Sequence, residues 1–99
     1  MSDAERYAEG LTAIEAKAHP DSQYEFSVNP GRRYDKIVQR STRWGGASVH
    51  AFVEKDTGWV YKAATWAQPA KGARFATVDD ALLAAQADPT AFAGGYLYR

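Results

Sequence analysis

The sequence has no cysteine. Disulfide staples and thiolate metal sites are therefore excluded. Secreted domains near this size of 99 residues are commonly disulfide-bonded, so the lack favours a reducing compartment. The two histidines, His19 and His50, stand far apart, and the acidic residues show no calcium-loop spacing. Neither pattern supplies the clustered ligands a metal site needs. No apolar run approaches the roughly 18 residues of a membrane helix. Met1 to Gly10 is polar and acidic, without the basic leader and apolar core of a signal peptide. The expectation from these absences is a cytoplasmic chain with no metal or cofactor and no membrane partner. Repeats and low-complexity segments are absent as well.

What is present fits one domain spanning residues 1–99. A chain this short buries only about two-thirds of its unfolded surface, so each large apolar side chain carries weight. Aromatics, at 13% of residues, supply much of that burial. The formal net charge of zero conceals a segregation: residues 1–29 carry −4, residues 30–75 carry +6 and residues 76–99 carry −2. Seven of the thirteen aromatics, including all three Trp, lie in the basic middle. Such asymmetry either marks a surface for a partner or pairs acidic flanks with a basic sheet inside one fold.

Ser2-Asp3-Ala4-Glu5 reads as a capping box. Tyr7, Leu11, Ile14 and Ala18 follow on one helical face, and Pro20 ends the helix. Gly10 in mid-helix costs about 1 kcal/mol relative to Ala. From Gln23 the period becomes two, with Tyr24, Phe26 and Val28 on one side of a strand. Asn29-Pro30-Gly31-Arg32 predicts a turn with Gly31 at positive φ. A second strand is expected over Arg33 to Arg40, then a loop bearing Trp44-Gly45-Gly46. Ser48 to Glu54 and Trp59 to Thr65 form a hairpin about Lys55-Asp56-Thr57-Gly58, read as a three-residue loop. That loop sets Val53 against Tyr61, Ala51 against Ala63 and Val49 against Thr65 on the core face. It leaves His50, Phe52 and Glu54 opposite Ala64, Lys62 and Val60 on a mixed, half-solvated face. Residues 66–74 form a loop. Thr77-Val78-Asp79-Asp80 caps a second helix with Val78, Leu82 and Ala85 inward, stopped at Asp88-Pro89. Tyr96-Leu97-Tyr98 is expected to add a short edge strand. The predicted fold class is α+β: an antiparallel meander of about four strands with an N-terminal and a C-terminal helix packed on one face.

Catalytic chemistry finds little support. His50 and Ser48 share a strand face, but their side chains diverge by roughly 6–7 Å, and nothing marks an oxyanion hole. His19, before Pro20, suits a helix cap. Asp79-Asp80 suits the first turn of a helix. No glycine-rich segment opens a helix as a phosphate loop does; Lys71 and Arg74 before the second helix come nearest, with Asp79 and Asp80 repelling an anion there. The predicted recognition face therefore consists of Phe52, Lys62, His50 and Trp66, extended by Lys71 and Arg74. Aromatics interleaved with cations suit either a protein surface or the bases and phosphates of single-stranded nucleic acid.

Pro30-Gly31-Arg32-Arg33-Tyr34-Asp35-Lys36-Ile37-Val38, the run from Asp56 to Trp66 with Pro69-Ala70-Lys71 and Arg74, and the Gly-Gly-Tyr-Leu-Tyr ending resemble a group of small phage proteins. These are proteins of unknown function encoded by tailed bacteriophages, including phages of actinobacteria, with a TGxVYKAAxWxxPAK motif. The resemblance covers most of residues 24–75 and the C-terminus. It implies a viral gene product acting in the cytoplasm of an infected bacterium and brings no catalytic residues. The α-β-β-β-α order also resembles the double-stranded-RNA-binding domain, whose second helix starts with basic residues; Asp79-Asp80 stands there instead. The expected function is a non-enzymatic phage accessory protein that binds a host or phage protein, with a second copy of the chain among the partners considered. Nucleic-acid binding through the same face is the alternative. Capture of a phosphorylated small molecule near Lys71 and Arg74 is the third reading.

Overall fold

The computed structural model describes residues 2–21, 24–43 and 45–98. Helix α1 (Asp3–Ala18) is followed by strands β1 (Tyr24–Asn29), β2 (Tyr34–Ser41), β3 (Ala47–Glu54) and β4 (Val60–Lys62), then α2 (Val78–Gln86). Two 3-10 turns, Ala91–Ala93 and Gly95–Tyr98, follow. The strands form one antiparallel sheet in the order β1-β2-β3-β4, an α+β meander. Gln23 and Trp44, assigned above to a strand start and a loop, lie outside the described residues.

The capping box forms as the sequence requires: the Ser2 hydroxyl accepts from the Glu5 amide, and the Glu5 carboxylate accepts from the Ser2 amide. Tyr7 and Leu11 face the core together with Ala4 and Ala8, whereas Ala18 is exposed. At α2 the Thr77 hydroxyl accepts from the Asp80 amide. Val78, Ala81 and Ala85 pack inward, and Leu82 is half-buried against Gly10 of α1. A side chain at Gly10 would meet Leu82 Cδ2 at 2.6 Å, so the glycine that costs helix propensity permits close helix packing. Both helices cover the same sheet face, where Phe26, Ile37, Ala51, Val53 and Val60 meet them in one core. Arg6 ties the two helix starts together by pairing with Asp3 and Asp79.

Four local expectations are corrected. Gly31 does not have positive φ; it is required because a Cβ there would lie 2.4 Å from the Tyr34 carbonyl oxygen. The β3–β4 connection holds four residues, not three. The Glu54 amide donates to the Trp59 carbonyl, Gly58 (φ +76°) donates to the Glu54 carbonyl, and Val53 therefore pairs with Val60, not Tyr61. Because side chains alternate along a strand, that one-residue change reverses every face of β4. Third, the ending is a pair of 3-10 turns and not an edge strand: Tyr96 and Leu97 turn into the core. Fourth, His50 does not share the face of Phe52 and Glu54: a β-bulge shifts the β2–β3 register, from Ile37 opposite Ala51 to Val38 opposite Val49, with His50 as the extra residue.

Both outer strands have shielded edges. On β1, the Thr12 hydroxyl of α1 accepts from the Phe26 amide at 3.0 Å and reaches the Phe26 carbonyl at 3.4 Å. On β4, residues 69–75 return alongside, with bridges Val60–Phe75 and Ala63–Pro69. Unpaired strand edges invite aggregation, and both devices oppose it. Among the described residues no helix is long and apolar enough to cross a membrane.

Candidate binding surfaces

The bulge decides the place of His50. It turns the imidazole onto the helix-covered face, where it is 7% exposed, edge-on to Phe26. Gln39 Oε1, which can only accept, lies 3.3 Å from Nδ1, so Nδ1 carries the proton. Burial pushes the imidazole pKa down to about 4, leaving Nε2 unprotonated at neutral pH. The Tyr96 hydroxyl then donates to Nε2 across 2.6 Å, and its oxygen accepts from the Tyr7 hydroxyl at 2.5 Å. Burial raises both phenols well above the usual tyrosine range, so neither ionises. A one-directional chain, Tyr7 to Tyr96 to His50 to Gln39, thus joins α1, the C-terminal turn, β3 and β2. His50 is a core residue and not part of the predicted mixed face.

Phe52 and Lys62 were predicted to share that face; the structure puts them on opposite sides. Phe52 pairs with Tyr61 on the sheet face away from the helices, and at 3% exposed it presents no platform. Tyr34 packs edge-on to both Phe52 and Tyr61. Glu54 closes this cluster, accepting from the Thr57 hydroxyl at 2.8 Å, from Arg33 Nε at 3.0 Å and from the Tyr61 hydroxyl at 3.3 Å. Those bonds, Thr57 foremost and then Arg33, hold its carboxylate below the usual range. Lys62 instead pairs with Ala51 on the helix side, its ammonium 4.4 Å from the Tyr98 ring centre.

Trp66 remains a surface residue, 52% exposed. It projects from a tight turn in which Thr65 Oγ1 accepts from the Ala67 and Gln68 amides and the Gln68 carbonyl accepts from the Ala64 and Thr65 amides. Lys36 Nζ lies 4.6 Å from its ring centre, a cation–π contact on the open sheet face. Beside it runs a groove of about 270 Å³, floored by Phe52 and lined by Pro30, Arg32, Arg33, Tyr34, Lys36 and Ala67. Lys71 and Arg74 are exposed on the returning segment, where the Arg74 amide donates to the Val60 carbonyl. The six predicted residues therefore divide among three places. Trp66 and Phe52 share the open face, His50 and Lys62 approach the C-terminal turns, and Lys71 and Arg74 lie beyond β4.

Lys36, Tyr34 and Arg33 went unassigned in the sequence reading. For Tyr34 and Lys36 the signal was the alternation Tyr34, Lys36, Val38, Arg40 along β2, obscured because Ile37 and Val38 are both apolar; Arg33 precedes the strand and has no such signal. His19 caps α1 through its backbone, its amide donating to the Glu15 carbonyl, while its ring nitrogen reaches the Pro89 carbonyl at 3.1 Å. Among the described residues no group of three or more His, Cys, Asp or Glu is placed to hold a metal.

These features define a two-layer α+β domain with an open, basic and aromatic sheet face. The chain belongs to DUF7717, a family of unknown function whose model matches residues 2–99. No curated protein and no solved structure matches it.

Proposed function

We propose that the protein is a non-enzymatic binding module that engages another protein through the Trp66 turn and the groove beside it. The observation that carries the reading is Trp66 itself. A half-exposed tryptophan, held by a hydrogen-bonded turn, capped by Lys36 and next to a groove that Arg32 and Arg33 line, is pre-ordered before any partner arrives. Tryptophan and arginine dominate binding hot spots, and a rigid anchor loses little entropy on docking. Trp66 also belongs to the run that resembles tailed-phage proteins. On that basis the partner is a host or phage protein met in an infected bacterial cytoplasm. Affinity capture from infected cells with the wild-type chain and Trp66→Ala tests this. Partners lost selectively with Trp66→Ala support the reading; identical profiles overturn it.

The cations around the groove favour a second reading, single-stranded nucleic acid, with Trp66 stacking on a base and Lys36, Arg32 and Arg33 meeting phosphates. Fluorescence anisotropy with a labelled oligonucleotide across a salt series distinguishes it. Affinity would fall steeply with salt, and Lys36→Ala would reduce the slope by about one. Lys62→Ala, on the opposite face, would leave it unchanged. The third reading, a phosphorylated small molecule at Lys71 and Arg74, gains nothing from the geometry: Thr77 already caps α2, and Asp79 and Asp80 occupy its first turn.

A further inference from the structure

The start of β1, the bulge of β3 and the C-terminal turns line a partly open cavity of about 330 Å³. Its lining is unlike the rest of the core. Gln39, His50 and Ser48 supply polar atoms, and Tyr24, Phe92 and Tyr98 supply aromatic surface. Tyr24 and Phe92 stack on one another at 5.5 Å, which fixes both rings. No carboxylate lines the cavity, and the Lys62 ammonium sits against Tyr98 beside it.

Gln39 carries the inference. It is 9% exposed, and its carboxamide oxygen is committed to His50 Nδ1. Its NH2 group meets no acceptor among the described residues and opens on the cavity it lines. That donor is reached from the cavity, so a water or a ligand acceptor there completes its hydrogen bonding. The 3.3 Å contact with His50 Nδ1 holds the carboxamide in that orientation. The bulge that places His50 is thus also the device that aims Gln39. Bulges of this kind recur beside functional sites.

We propose that this cavity binds a small planar heterocycle bearing carbonyl acceptors, of pyrimidine-nucleoside size, with its carbonyl taking the Gln39 NH2 and its ring against the aromatic lining. The Gln39 NH2 can only donate, so a ring with a carbonyl acceptor fits it. Lys62 at the rim favours a ligand with an anionic substituent. The site is separate from the Trp66 surface, and neither proposal depends on the other.

The test is an NMR titration of the full chain with uridine and with uridine monophosphate. Saturable shifts at the amides of residues 39, 48, 50 and 93–94 are expected, with a Kd on the order of 0.1–1 mM for a ligand this small. Gln39→Glu keeps the oxygen that His50 needs and replaces the donor by an acceptor; binding should weaken about tenfold or more. Ala93→Phe fills the cavity from an exposed position and should abolish the shifts. Trp66→Ala should not alter them. Absence of saturable shifts with both probes, shifts elsewhere, or shifts indifferent to Gln39→Glu and Ala93→Phe would each overturn the proposal.

Discussion

The Tyr96 hydroxyl donates to Nε2 of His50 across 2.6 Å, joining the end of the chain to the bulge of β3. Tyr96 is nearly fully buried, and its oxygen also accepts from Tyr7 on α1. The last turns of the chain are thereby part of the core, held by polar groups as well as by Leu97.

Tyr7 and Tyr96 should respond unequally to loss of their hydroxyls. Tyr96→Phe strands both the Tyr7 hydroxyl and His50 Nε2 in the interior, a loss of about 2–4 kcal/mol. Tyr7→Phe removes only the terminal donor and should cost about 0.5–1.5 kcal/mol. Urea denaturation of the two variants checks the order; equal losses would mean that the chain of bonds does not exist.

Stability should fall in mildly acidic solution because of His50. Its folded pKa lies near 4, below the ordinary 6.5. Its contribution is therefore complete above pH 6.5 and declines as pH falls toward 4, because the unfolded state takes up a proton that the folded state refuses. The full loss is roughly 3 kcal/mol, at about 1.4 kcal/mol per pH unit. Glu54, held below the usual carboxylate range, adds its own loss only at lower pH. Denaturation midpoints measured across this window should slope for the wild type and flatten for His50→Gln.

Glycine 31 is predicted to be intolerant although its φ is ordinary. A Cβ would press on the Tyr34 carbonyl, a backbone atom that cannot rotate away, and Gly31→Ala should cost about 1–3 kcal/mol. Gly46→Ala, with open space around it and no positive φ, should be neutral within about 0.5 kcal/mol. Thermal melts of both variants make the comparison.

Thr12→Val should destabilise the protein by about 1–2 kcal/mol, since the Phe26 amide on the outer edge of β1 loses its acceptor. The bared edge should also raise aggregation on heating, which light scattering would detect. A variant that melts and scatters like the wild type would show that α1 does not guard this edge.

The sequence by itself determined the elements: the capping box at Ser2, the stop at Pro20, the alternation through Phe26 and Val28, the turn at Gly58 and the second helix after Thr77. Each is a local preference, expressed within a few residues and independent of what packs against it. Only the tertiary structure decided the site. A loop of four residues instead of three between β3 and β4 sent Tyr61 outward and Lys62 to the helix side. One bulge residue carried His50 into the core, and the need to fill that core drew Tyr96 and Leu97 into 3-10 turns. Both loop lengths fit the same residues around Gly58, and the choice rests on burying Val60 against Val53, a contact that no local pattern encodes.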